Sequence, residues 1–129
     1  VSGQACPLWA AIVEAGEADS EGAEYFVRKR IGQLLAKDAD IDTIILGCTH
    51  YPLLLDKIRK YVPEGIQIIS QGEYVASSLK SYMKRHPEMD ARCTKTGNCR
   101  YYTTESLDTF LPNASIFLNS AVDADSITL

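Results

Sequence analysis

The run Ile44-Ile45-Leu46-Gly47-Cys48-Thr49-His50-Tyr51-Pro52 decides how this chain folds. Residues 42–46 are a short β-branched stretch behind a polar break, which predicts a buried strand. Gly47 stops that strand. Pro52, whose fixed φ suits a first helical turn, starts a helix that carries Leu54, Ile58 and Tyr61 as far as Pro63 and Gly65. A thiol, a hydroxyl and an imidazole therefore stand at the carboxyl end of a strand, where open α/β sheets bind their ligands.

Upstream, Leu8, Trp9, Ile12 and Val13 predict a short helix over residues 7–17, with Pro7 in its first turn. Ser20 and Glu21 open a second helix. Its Val27, Ile31, Leu34 and Leu35 follow the i, i+4, i+7, i+8 stripe of an amphipathic helix running to about Lys37. Downstream, residues 66–69 predict a second strand, and residues 73–85 a helix with Val75, Leu79, Tyr82 and Met83 on one face. Residues 87–98 hold little apolar content and read as an exposed loop. Residues 100–103 predict a third strand and residues 106–111 a helix, which residues 114–118 extend beyond Pro112. The acidic tail from Ala121 reads as frayed.

Strands alternating with helices of this length predict an α/β fold with a doubly wound, mainly parallel sheet and helices on both faces. Three strands are few for a complete sheet of that type, so the chain reads as one incomplete lobe. The start Val1-Ser2-Gly3-Gln4-Ala5-Cys6 has no initiator methionine, basic segment or apolar stretch. That fits a chain beginning partway through a longer protein and shows no signal peptide.

At 129 residues, with 46% hydrophobic and 23% charged side chains, the chain has the bulk of one globular domain. A net charge of −4 and a pI near 5.1 argue against nucleic acid or an anionic membrane as partner. No apolar run approaches the roughly 20 residues that span a bilayer. Four scattered cysteines, Cys6, Cys48, Cys93 and Cys99, do not make a disulfide framework, and a reducing cytoplasm is the expected compartment.

A cysteine between a strand and a helix start meets the free N–H groups and dipole of that helix, which favour a thiolate. His50 is placed to hold a positive charge beside the sulfur or to pass a proton to substrate. Thr49 offers a hydroxyl, and the neighbouring amides suit a carboxylate. The plainer alternative is a small buried cysteine that merely ends a strand. Metal binding is disfavoured, because Cys48 and His50 supply two ligands where a catalytic zinc takes about three. Cys93 and Cys99, with five residues between them and His86 upstream, exceed the about two-to-four-residue spacing of a zinc pair and read as part of a solvated loop. Cys6, before Pro7, reads as a core residue.

Leu46-Gly47-Cys48-Thr49-His50-Tyr51-Pro52-Leu53-Leu54 resembles the signature of cofactor-independent glutamate racemases. Ala5-Cys6-Pro7-Leu8, followed by Ile12-Val13-Glu14, resembles a second block of that family, and Tyr101-Tyr102-Thr103-Thr104 resembles the strand that leads into its closing helix. The resemblance covers most of the chain and implies the C-terminal part of such an enzyme, the second of two similar lobes. The segment from about residue 100 would return to the missing first lobe.

It further implies interconversion of L- and D-glutamate for peptidoglycan synthesis, by two cysteines and without metal or other cofactor. Cys48, His50 and Glu14 are the catalytic residues it implies. Cys48 would be the second-lobe thiol, His50 its assistant and Glu14 a supporting acid, while Thr49, with His50, would contact the substrate. The implied partners are glutamate, the absent N-terminal lobe and, at full length, a second copy in a homodimer. Two positions depart from the family pattern: Ser70-Gln71 replaces the usual Asp-Ser after the second strand, and residues 87–99 form an apparent insertion. The alternatives are another member of the aspartate/glutamate racemase superfamily, or a non-catalytic amino-acid-binding module of the same fold. Racemisation needs groups on both faces of the Cα, so the chain by itself is expected to be inactive.

Overall fold

A computed structural model describes residues 1–129. Contacts divide the chain into two compact units, Val1–Ser77 and Ser78–Leu129.

The first unit holds the core. Helix α1, Pro7–Glu14, buries Trp9 and Val13 one helical turn apart. It stops three residues before the sequence-based limit of 17 because Gly16 takes the left-handed conformation (φ 72°) and turns its N–H back to the Val13 carbonyl at 3.0 Å. Helix α2, Glu21–Leu35, opens on Ser20, whose hydroxyl accepts from the Ala23 N–H at 3.1 Å. Its buried stripe is Ala23, Val27 and Ile31.

Strand β1, Thr43–Leu46, points Ile44 and Leu46 into the core and leaves Ile45 exposed. It pairs in parallel with β2, Gln67–Ser70, setting Ile44 opposite Ile68 and Ile45 opposite Ile69. Between the two strands, Tyr51–Leu54 form a single 3₁₀ turn, and only then does α3 begin, Leu55–Tyr61. Leu54 and Ile58 are fully buried and carry this connection onto the core formed with α1 and α2. The expected helix from Pro52 is thus a 3₁₀ turn followed by an α-helix. Helix α4, Gln71–Arg85, follows β2 without a break and crosses the division between the units. Of the apolar face expected on it, Val75, Leu79 and Tyr82 are exposed and Met83 is half-buried.

In the second unit, the expected loop over 87–98 begins with a one-turn helix, α5, Pro87–Asp90, started by Pro87 at its first position. Strand β3, Tyr101–Thr103, leads through Ser106 to α6, Leu107–Leu118. This is one continuous helix with Pro112 inside it, ended by Asn119 at a positive φ of 48°. The tail expected to fray instead supplies β4, Ala124–Ser126, parallel to β3 with Tyr101 opposite Ala124. The Ile127 N–H donates to the Thr103 carbonyl at 2.9 Å and closes the pair. All strand pairing is parallel, as the α/β reading expects, but the four strands form two separate pairs, β1–β2 and β3–β4. No helix is long and apolar enough to cross a membrane.

Candidate active site

The site grows from the end of β1. Gly47 leaves the strand, and Cys48 to Tyr51 make a turn in which the Tyr51 N–H donates to the Cys48 carbonyl at 3.3 Å. The Leu53 N–H then donates to the His50 carbonyl at 3.1 Å, so the turn runs directly into the 3₁₀ segment. Because α3 starts only at Leu55, the α-helical N-terminus expected beside the thiol is not there; the dipole effect falls off within a helix's first turn. The immediate neighbours of the sulfur are side chains.

Those neighbours form a line. The His50 Nδ1 lies 3.7 Å from the Cys48 Sγ and 3.3 Å from the Thr49 Oγ1. On the far side of the ring, His50 Nε2 lies 2.8 Å from Glu14 Oε1, at the last residue of α1. A carboxylate only accepts, so the Nε2 nitrogen carries the proton of that bond. Nδ1 of the neutral ring is then the lone-pair nitrogen, facing the thiol and the hydroxyl. The arrangement suits a ring that takes the thiol's proton and, once charged, is held by Glu14.

Exposure decides what the His50–Glu14 contact does. The two side chains are 21% and 56% exposed, so as an ion pair it adds little stability; pairs in water contribute about 0–1 kcal/mol. Its effect is to aim the imidazole. Cys48 is half-buried and Thr49 exposed, which leaves both within reach of a small molecule.

Glu14, 36 residues from His50 in sequence, is thus brought into one cluster with the contiguous Cys48, Thr49 and His50. Cys6 lies in the core and is 7% exposed, and burial pushes its thiol above the usual range, with Arg30 opposing weakly. Cys6 is therefore kept as a neutral thiol. Cys93 and Cys99 are free and exposed in the second unit, and no group of three or more His, Cys, Asp or Glu side chains is arranged to hold a metal.

One member of the cluster escapes sequence reasoning. The Tyr51 hydroxyl donates to the Cys6 carbonyl at 3.2 Å, and its ring meets Trp9 edge-on with centroids 4.9 Å apart. In the sequence Tyr51 stands out only as part of the block Leu46 to Leu54, with no role attached to it. A cavity of about 460 Å³ runs beside β1 and is lined in part by Cys6, Trp9 and Tyr51, but by none of Glu14, Cys48 and His50.

No protein-family model matches the chain. In sequence it is 37% identical over 119 residues to the glutamate racemase of Listeria monocytogenes, covering 92% of this chain and 44% of that protein. It is 32% identical over 129 residues to the glutamate racemase of Streptococcus equi, covering 100% of this chain and 48% of the relative. In structure it is similar to glutamate racemase isoform RacE1 of Bacillus anthracis, with a TM-score of 0.81 and 33% identity over 98% of this chain and 46% of the other. The fold also matches the Thermus thermophilus glutamate racemase, with a TM-score of 0.79 at 23% identity. The chain therefore spans about half the length of the curated relatives it matches. By sequence and by fold, this chain is similar to about half of a glutamate racemase.

Proposed function

We propose that the chain is the C-terminal, second catalytic lobe of a glutamate racemase, and that it presents one of two thiols needed to interconvert L- and D-glutamate. The observation that carries this reading is the Cys48–His50–Glu14 line, with 3.7 Å and 2.8 Å between successive partners, in a chain similar to glutamate racemases. In this reading Cys48 exchanges a proton with one face of the substrate Cα. As thiolate it removes that proton; as thiol it delivers one. His50 Nδ1 takes the thiol's proton before abstraction and returns it afterwards, and Glu14 holds the imidazole through Nε2. Thr49, exposed beside the ring, binds a substrate carboxylate together with His50. Glutamate is thus the proposed substrate, and D-glutamate for peptidoglycan the proposed output, in the cytoplasm and in a homodimer of full-length chains.

One thiol serves one face. The inverted product requires a proton on the opposite face of the planar carbanion; Cys6 is buried, and Cys93 and Cys99 lack the Thr-His surroundings that Cys48 has. The opposing thiol then comes from the remainder of the full-length protein, the part of the relatives that this chain does not match. No metal or other cofactor has a part in this proton transfer. The test is chiral chromatography of L-glutamate incubated with the 129-residue chain alone. The expected result is no D-glutamate above a Cys48→Ala control, and Cys48-dependent turnover would overturn the half-site reading.

A further inference from the structure

Two adjacent residues, His50 and Tyr51, reach opposite ends of one helix. His50 bonds Glu14, the last residue of α1, and Tyr51 bonds the carbonyl of Cys6, the residue that precedes its first turn. These anchor points are eight positions apart, about 12 Å along the axis at about 1.5 Å per residue. The turn that carries the thiol therefore lies astride α1 and is pinned at both ends. The Cys6 carbonyl already accepts from the Trp9 N–H at 3.1 Å, so the Tyr51 bond uses its second lone pair and does not compete with the helix.

The two ends are not equivalent. The Glu14 end is open to water, and an exposed pair alone holds a geometry weakly. The Tyr51 end is the firm one. Its ring is held edge-on against Trp9, which is 2% exposed, and its hydroxyl sits at the edge of the core. The Trp9 Nε1–H has no hydrogen-bond partner, so this ring contact is packing, and the directional bond at this end is the one from the phenol. Burial first, and then the nearby Cys6 and Cys48 thiols, raise Tyr51 above the usual phenol range. Both effects favour the neutral phenol, which is the form that donates to the Cys6 carbonyl.

We infer that Tyr51 is a positioning residue for the thiol site: its hydrogen bond to the Cys6 carbonyl fixes α1 against the Cys48–Tyr51 turn and so sets the distance at which Glu14 meets His50 and His50 meets Cys48. The inference rests on the reading of Cys48, His50 and Glu14 as one proton-transfer line. Tyr51→Phe keeps the ring against Trp9 and removes only the directional bond.

The test uses the whole chain and two readouts. The first is peptide-resolved alkylation by iodoacetamide, in which buried Cys6 reports any general loosening of the core and exposed Cys93 and Cys99 serve as references. The second is the long-range ¹H–¹⁵N spectrum of the imidazoles, simple because the chain has two histidines and His86→Gln identifies the other. In Tyr51→Phe the expected result is Cys48 alkylation slowed by about fivefold, the size of one ordinary hydrogen bond. The His50 ring is expected to move from one dominant tautomer toward a mixture, with Cys93 and Cys99 unchanged. Glu14→Gln should give the same signature, and Tyr51→Phe added to it should slow Cys48 no further.

Wild-type rates and spectrum in Tyr51→Phe, with Glu14→Gln still effective, would overturn the anchoring role alone. Rapid alkylation of Cys6 in Tyr51→Phe would overturn it too, by showing a general structural role. If Glu14→Gln itself leaves Cys48 and His50 unchanged, the proton-transfer line fails, and the anchoring role with it.

Discussion

At the scale of single residues, the distinction that matters is between chemistry and aim. Cys48 and His50 touch the reacting proton in the proposed reaction; Glu14 and Tyr51 act through His50. Cys48 lies outside the buried cluster, so Cys48→Ala should leave the fold within about 0.5 kcal/mol of the native protein. In the full-length racemase it should still abolish conversion in both directions, because each direction needs both faces. His50→Ala should slow turnover by about 10²-fold or more, the usual worth of a positioned acid–base group. Its effect should be larger in the direction for which Cys48 is the base. Chiral progress curves run from each enantiomer check this, and equal loss from both would move His50 from proton transfer to substrate binding. Cys48, Thr49 and His50 were legible in the sequence because they are contiguous and follow a strand. Glu14 was legible only through resemblance, since nothing local ties an exposed glutamate at a helix end to a histidine 36 residues away.

At the scale of elements, helices and strands followed from periodicity, and their ends from local stereochemistry. The stripe Val27, Ile31, Leu34 and Leu35 identified α2, and Ser20 set its start, as the cap bond bears out. The short elements were harder to read. Nothing in Tyr51–Leu54 distinguishes a 3₁₀ turn from α-helix, because Pro52 suits the start of either. The tail strand β4 carries no apolar alternation and exists through backbone pairing with β3, which no pattern along the chain reveals.

A pH dependence belongs at this scale as well. The Tyr61 hydroxyl, at the end of α3, donates to Glu24 of α2 at 2.6 Å. That bond, helped by Lys60, lowers Glu24 below its ordinary 4.5, and the same bond raises Tyr61 above its ordinary 10.0. The lowered carboxylate stabilises the fold above its ordinary value, and that contribution is lost as pH falls through the lowered one. The raised phenol stabilises below its ordinary value, and its contribution is lost as pH rises through the raised one. Melting temperatures of the native chain and Tyr61→Phe should therefore differ most between about pH 5 and 9 and converge toward either extreme. A gap that stays constant across the range would show that the bond carries no pH-dependent share.

At the scale of the whole molecule, the buried core and the thiol cluster belong to the same unit, residues 1–77. The site is built on packed elements, with Val13 under α1, and Ile44 and Leu46 under the strand that delivers Cys48. The second unit contributes one buried polar residue, Thr103, and none to the buried apolar core. Relatives about twice as long as this chain fit a site that is one half of a pair. A bare structural cysteine would be indifferent to an amino acid; a substrate-facing thiol is shielded by one. The direct measurement is the rate of Cys48 alkylation by iodoacetamide, resolved by peptide mass spectrometry, with and without L- or D-glutamate. The account expects either enantiomer to slow Cys48 while Cys93 and Cys99 keep their rates, and a Cys48 rate unmoved by saturating glutamate would contradict it.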